Sequence, residues 1–213
     1  AIELQPDYAE AFSNLGSILK GLGNLQEAEI SQRKAIELKP DFTNAHLNLG
    51  NILNDLGRLE EAEISTRKAI ELKPDSAIAY LNLGEIFKDL GKIKEAELSI
   101  RKAIELKPDF TDAYYNLAFI ELLKGDYESG LKNYEFRFKK KNPVIPHALS
   151  KIQRLDNTNL PIGEKLLIST EQGLGDTLQY MRYVPYLRTL GLDISFCAQK
   201  KLHSLIQASG IDQ

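Results

Sequence analysis

The string AIELQPD at Ala1 returns as AIELKPD at Ala35, Ala69 and Ala103, each step being 34 residues. A period of that length, held without slippage, means one supersecondary unit built repeatedly and stacked. Other positions keep the same register. A Leu-Gly pair stands at Leu15-Gly16, Leu49-Gly50 and Leu83-Gly84, relaxing to Leu117-Ala118. A small residue recurs at Ala28, Ala62 and Ala96, then at Gly130. Prolines recur at Pro6, Pro40, Pro74 and Pro108, and glycines at Gly23, Gly57, Gly91 and Gly125. Each has a physical reason. Small residues let two helices approach closely, Pro-Asp stops one helix before the next turn, and glycine supplies the left-handed residue that ends a helix. The pattern predicts first helices over 9–21, 43–55, 77–89 and 111–123. Second helices follow over 25–38, 59–72, 93–106 and 127–139. One such pair cannot bury its own apolar face, so stability comes from stacking.

This combination of period and registered positions strongly resembles the tetratricopeptide repeat family over residues 1 to about 140. The expected fold is mainly α, a tetratricopeptide α-solenoid followed by the start of an α/β, Rossmann-like domain. The expected organisation is a partial repeat over 1–8, four repeats to residue 140, a linker over 141–163 and an incomplete α/β segment over 164–213. AIELQPD reads as the tail of a second helix, and the chain reads as an internal fragment of a longer polypeptide.

Composition sets outer limits. A net charge of −3 and 27% charged residues describe an ordinary soluble chain, with no general reason to expect nucleic acid or an anionic membrane as partner. Cys197 is the sole cysteine, which excludes an intrachain disulfide, and its apolar neighbours point to a packed thiol. No apolar run reaches membrane-spanning length. A cytoplasmic setting is the expectation. His46 shares its register with Phe12, Tyr80 and Tyr114, so a packed histidine is expected there. His147 and His203 have no spaced partner, and no metal site is expected. The run Arg137 to Lys141 ends the last helix, where cations suit the macrodipole.

A polar column accompanies the apolar pattern. Asn14, Asn48, Asn82 and Asn116 recur at the same interval on the first helices, which would line the concave face. A side-chain amide carries both a donor and an acceptor and can pair with a peptide main chain of any sequence. It can equally tie neighbouring helices together. The column is similar to the asparagine ladder of protein O-GlcNAc transferases, and that resemblance implies a protein or peptide partner in the groove. One turn later, Ser17, Asn51 and Glu85 vary the groove chemistry, and Asp55 and Asp89 make its far side mildly acidic.

The last repeat departs from the pattern. Aromatics crowd its second helix at Tyr127, Tyr134, Phe136 and Phe138 where a solvent-facing end should be polar. Packing of Phe136 or Phe138 against the linker or the 164–213 segment is expected. In that segment KLLIST reads as a buried strand, EQGLGD as a loop, TLQYMRYVPYLRTLG as a helix, LDISFCA as a second strand and KLHSLIQASG as a further helix. Strand, helix, strand at this spacing indicates parallel pairing. Gly173 and Gly175 permit close backbone approach in the loop, although the full dinucleotide fingerprint is absent.

The fuller string EQGLGDTLQYMRYVPYLRTLG resembles the first strand–loop–helix of heptosyltransferase-like glycosyltransferases. NYEFRF resembles the YEWRW junction of their repeat-fused forms, with Phe in place of both Trp. The resemblance implies a two-domain enzyme with Asp176 as general base toward an acceptor hydroxyl, Gly173 and Gly175 forming the acceptor-side loop. A carboxylate suits that role. Asp176 also reads as an N-cap before Thr177. No cofactor is expected on these residues. A nucleotide-sugar donor would bind only in the complete parent, because the donor-binding half lies outside the 213 residues, and the fragment alone would be inactive. The alternative is a non-enzymatic interaction scaffold with a structural α/β segment.

Overall fold

The computed structural model describes residues 8–140, 165–170 and 173–211. The chain forms two compact units, Ala1–Lys140 and Lys141–Gln213.

In the first unit the helices alternate in pairs. α1 (Ala9–Gly21), α3 (Thr43–Asp55), α5 (Ala77–Asp89) and α7 (Thr111–Leu123) are the first helices. α2 (Leu25–Leu38), α4 (Leu59–Leu72), α6 (Ile93–Leu106) and α8 (Tyr127–Tyr134) are the second. All but the last coincide with the spans predicted from the repeat. Gly23, Gly57, Gly91 and Gly125 have φ of +83°, +74°, +73° and +83°, so each turn between paired helices rests on a left-handed residue. Each first helix packs on its own second helix, and each second helix packs on the following first helix. Successive first helices also touch, α1 to α3, α3 to α5 and α5 to α7.

The crossing inside a pair is backbone-close. A Cβ placed on Gly84 would lie 2.5 Å from Cγ1 of Ile100 and 3.2 Å from the carbonyl oxygen of Ala96. Ala28, Ala62 and Ala96, the small residues on the facing helices, are fully buried. Around these crossings Leu49, Leu53, Ala62 and Ile86 form one core cluster, and Leu83, Phe87, Ile100 and Leu117 belong to another. Burial of each large aliphatic side chain contributes about 1.5–3 kcal/mol.

Ion pairs stitch neighbouring pairs along the second helices. Glu29 pairs with Arg33 at 2.8 Å and with Arg58 of the next repeat at 2.7 Å. Glu63 pairs in the same way with Arg67 and Lys92, and Glu97 with Arg101 and Lys124. Hydrogen bonds from these cations hold the Glu63 and Glu97 carboxyls below their ordinary range against the opposing effect of burial, the largest single influence at Glu63. At Glu97 the Lys124 hydrogen bond is the largest influence.

The last pair differs from the prediction. α8 stops at Tyr134, and Glu135–Phe138 form a 3₁₀ turn instead of continuing the helix to 139. The turn brings Phe136 onto Tyr114 of α7, rings stacked at 4.3 Å, while Tyr134 stacks on Tyr115. These aromatics therefore pack within their own repeat; the linker expected over 141–163 lies outside the described residues. Glu121 is buried where the other repeats carry Leu19, Leu53 and Phe87. It accepts hydrogen bonds from Arg101 at 3.2 Å and Asn133 at 2.8 Å, which satisfies an otherwise costly buried carboxylate.

In the second unit β1 (Lys165–Ser169) pairs in parallel with β2 (Asp193–Cys197), with Leu166 opposite Ile194 and Ser169 opposite Cys197. Two helices lie between them, α9 (Leu174–Met181) and α10 (Tyr183–Thr189), where the sequence pattern predicts one. Pro185 explains the break. It lacks an N–H and would clash with the carbonyl of Met181, so the helix cannot run through Arg182 unbroken. Val184, Leu192 and Ile194 form the small core beneath. Lys200–Leu202 form a 3₁₀ turn, α11 (His203–Ser209) follows, and Gly210 at φ +70° ends it. Cys197 is half-buried rather than a core thiol. Among the described residues no helix is long and apolar enough to cross a membrane.

The crossing geometry makes a paired prediction. Gly84→Ala should lower stability by about 1–3 kcal/mol, because Ile100 is 1% exposed and cannot withdraw. Gly21→Ala, with nothing within 4 Å of the added carbon, should be neutral or stabilising by up to about 1 kcal/mol. Urea denaturation of the two variants measures the contrast.

Candidate peptide face and strand–loop–helix

The asparagine column follows from helix register. Positions 34 apart fall on the same face of successive first helices, and those helices touch. Asn48 donates from Nδ2 to Oγ of Ser17 at 3.2 Å. Asn82 donates to Oδ1 of Asn51 at 2.6 Å, and Asn116 to Oε1 of Glu85 at 2.6 Å. Each amide thus binds the residue 31 positions earlier, on the preceding first helix. Ser17, Asn51 and Glu85, which the sequence marks only as variable groove chemistry, are the acceptors of these ties.

The ties divide the amide. Asn82 and Asn116 each spend one of two N–H donors on the neighbouring helix, Asn48 reaches Ser13 as well as Ser17, and among the described residues no donor reaches Oδ1 of Asn48, Asn82 or Asn116. The Oδ1 acceptors are thus the part of each amide that no tie uses. Burial varies along it: Asn14 is exposed, Asn48 and Asn116 are half-buried, and Asn82 is 9% exposed. Asn14 has no such tie among the described residues. The column ends at Phe119, the position after Ser17, Asn51 and Glu85, whose ring packs edge-on against Tyr115 at 4.9 Å. A phenyl group cannot accept a further amide.

The far side is less acidic than the sequence implies. Asp55 pairs with Lys20 at 3.0 Å and Asp89 with Lys88 at 3.5 Å. Glu85 is different. Burial pushes its carboxyl above the ordinary range, the Asn116 amide and Lys88 oppose that, and Asp89 and Asp112 add to it. His46 is half-buried and places Nε2 2.8 Å from the carbonyl oxygen of Pro40. Among the described residues no cluster of three His, Cys, Asp or Glu is arranged to hold a metal.

At the other candidate site the helix begins earlier than expected. Gly173 occupies the capping position, with φ −55° and ψ 166°, and α9 starts at Leu174. Asp176 therefore stands at the third helical position and is not the cap, and Gly175 is helical rather than part of the loop. The reason lies in Thr177. Its N–H donates to the carbonyl of Gly173 at 3.1 Å, so the first helical hydrogen bond closes on Gly173. Thr177 is buried, and its Oγ1 also lies 2.9 Å from Oε1 of Gln199, tying the first turn of α9 to the segment after β2. Neither Thr177 nor Gln199 is singled out by the sequence, because nothing local links residues 22 positions apart.

The repeating helix pair with its registered glycines, alanines and prolines defines a class. Models described as tetratricopeptide repeat match residues 9–42, 77–110, and both 32–64 and 100–132. A model described as TPR repeat matches 50–91. Residues 9–132 are an array of tetratricopeptide repeats. A comparison with curated proteins yields no match. Solved structures share the fold. A thermophilic TPR protein of Thermus thermophilus, TTC0263, is 22% identical with a TM-score of 0.59, covering 66% of this chain and 77% of that one. The first TPR of Spaghetti (RPAP3), bound to an HSP90 peptide, is 22% identical with a TM-score of 0.53, covering 55% and 93%. A mutant of the O-GlcNAc transferase of Thermobaculum terrenum is 24% identical with a TM-score of 0.52, covering 53% of this chain and 22% of that one.

Glu85 supplies a pH test. Its carboxyl is raised in the folded state, so the native chain holds a proton that the unfolded chain releases, and this group adds stability as pH falls through the folded value. Glu85→Gln keeps the acceptor for Asn116 and removes the buried charge. It should raise the urea midpoint at neutral pH, with the gain vanishing at low pH, where wild-type Glu85 is protonated. A gain of equal size at every pH would contradict this account.

Proposed function

We propose that the repeats hold an extended stretch of protein along the first-helix face and serve a glycosyltransferase whose acceptor-side strand–loop–helix lies within 164–213. The repeat array is a protein-interaction scaffold. The observation that carries the peptide reading is the split amide column: Oδ1 atoms without an intramolecular donor among the described residues, one per repeat, suit the N–H groups of an extended main chain. The parallel β1–α9–β2 arrangement, with Gly173 beyond the carboxyl end of β1 and a helix beginning there, supports the enzyme reading. Ligands of open α/β sheets bind at such strand ends, and helix amino termini favour anionic or hydroxyl-bearing groups. A nucleotide-sugar is the donor this reading requires.

The amide ties give the peptide reading a clean test on residues 1–213, using an immobilised array of unstructured peptides. Asn14 ties no neighbour among the described residues, so Asn14→Ala should weaken peptide binding about three- to tenfold without lowering the melting temperature. Asn82→Ala strands Oδ1 of Asn51 and should cost about 1 kcal/mol of stability as well. Unchanged binding by Asn14→Ala would remove Asn14 from the site.

For the enzyme reading, Asp176→Asn in the polypeptide as its gene encodes it should lower sugar transfer by at least about 100-fold, the scale of a lost general base. Because Gly173 holds the cap, this variant and Asp176→Ala should fall together in activity. Transfer at the unsubstituted rate by Asp176→Asn would end the catalytic assignment and favour the non-enzymatic scaffold.

A further inference from the structure

The second helices carry an apolar column on their exposed side. Ile30, Ile64 and Leu98 stand 34 residues apart and are 68%, 68% and 70% exposed. Scattered exposed aliphatic residues are ordinary on a folded chain, but these three share one register. The same position of the fourth repeat is Lys132, so the column spans three rungs. Copying of the repeat does not by itself account for it. One turn earlier, the also exposed Gln26, Glu60 and Lys94 change from amide to acid to base between copies, whereas the column changes only from Ile to Leu.

Charge of opposite sign lies on either side. Three residues before the column stand Glu27, Glu61 and Glu95, all exposed. Four residues after it stand Lys34, Lys68 and Lys102. Residues three or four apart share a helix face, so each second helix reads acid, aliphatic, base along one strip. The lysines pair with Glu37, Glu71 and Glu105 at 2.7–2.8 Å, in exposed geometry where an ion pair contributes little. Arg67, braced by Glu63, adds to the basic end: its side chain is 58% exposed and that of the carboxylate 18%.

Such a strip is complementary to itself. Turned over about an axis along the array, a second copy lays its second helices antiparallel to these, aliphatic on aliphatic and acidic end on basic end. Turned about an axis along the helices, it would set lysine and arginine against lysine and arginine, which is unfavourable. Charge thus selects both the occupant and its orientation. We propose that the exposed face of α2, α4 and α6 is a two-fold interface for a second copy of this chain, with Ile30, Ile64 and Leu98 as its apolar line. Each of the three meets its own counterpart, as residues on the axis of an isologous contact do. Three rungs give a contact at the small end of stable interfaces, which places dissociation in the micromolar range. Only second helices take part, so the interface rests on neither the peptide nor the enzyme reading.

Sedimentation equilibrium of residues 1–213 between about 1 and 100 μM tests this. The mass should rise with concentration from monomer to dimer and stop there. Ile64→Asp should keep the chain monomeric across that range with an unchanged circular dichroism spectrum, because Ile64 is an exposed helix position. Lys68→Glu should weaken association about three- to tenfold, since the new carboxylate faces the acidic row of the second copy. Tighter association by Lys68→Glu would mean that basic ends meet, and overturns the pairing. Monomer at every concentration, or a dimer that Ile64→Asp leaves intact, overturns the proposal.

Discussion

The first unit depends on helices whose backbones nearly touch. At Gly84 there is no room for a side chain against Ile100, and the facing Ala96 is fully buried. Such contact is available only where both helices carry small residues, and it recurs every 34 positions because the same geometry must be repeated for the copies to stack. The left-handed glycines of the turns then return the chain at the same angle each time. Dispersion and burial at the crossings set the pair, and the next pair covers what remains exposed.

On this frame two polar systems run along opposite sets of helices. On the second helices, Glu29, Glu63 and Glu97 are each clasped by an arginine of their own helix and a cation from the next repeat. On the first helices, amides perform the same linking role, to neutral acceptors at Ser17 and Asn51 and to a carboxylate at Glu85. The amide differs from the ion pair in having two ends. One N–H holds the neighbouring helix while no donor among the described residues reaches Oδ1 of Asn48, Asn82 or Asn116, so the proposed peptide contact would leave each tie in place. That is why the two readings of the asparagine column, tie or peptide contact, need not compete.

The last pair shows how the series stops. Phe119 takes the place of the acceptors, Glu121 the place of an apolar core residue, and a 3₁₀ turn folds Phe136 back over Tyr114. Each change alters a register position, and together they replace a surface made for another repeat with an aromatic cluster of its own. The first pair shows nothing of the kind, and Leu15 and Ile18 are exposed there. The two ends of the described array are chemically unlike.

Helix spans 9–21 to 111–123, the turn glycines and the stacking of pairs were all legible in the sequence, because each follows from local periodicity and the steric needs of glycine, proline and alanine. The parallel pairing of Leu166 to Ser169 with Ile194 to Cys197 was legible for the same reason, from strand spacing and apolar runs. What the asparagines touch was not. The spacing shows that Asn82 repeats Asn48, but only packing brings its NH₂ to Asn51 rather than to solvent. The early start of α9 was likewise hidden. Asp176 has the chemistry of a cap, yet the helix closes its first hydrogen bond on Gly173 while the buried Thr177 meets Gln199 from beyond β2. The end of α8 at Tyr134 also waited on tertiary structure, since the stacking of Phe136 on Tyr114 joins residues that no short-range pattern relates. Local pattern determines where helices and turns form; which polar atom meets which is decided by distances between elements, and those exist only in the packed fold.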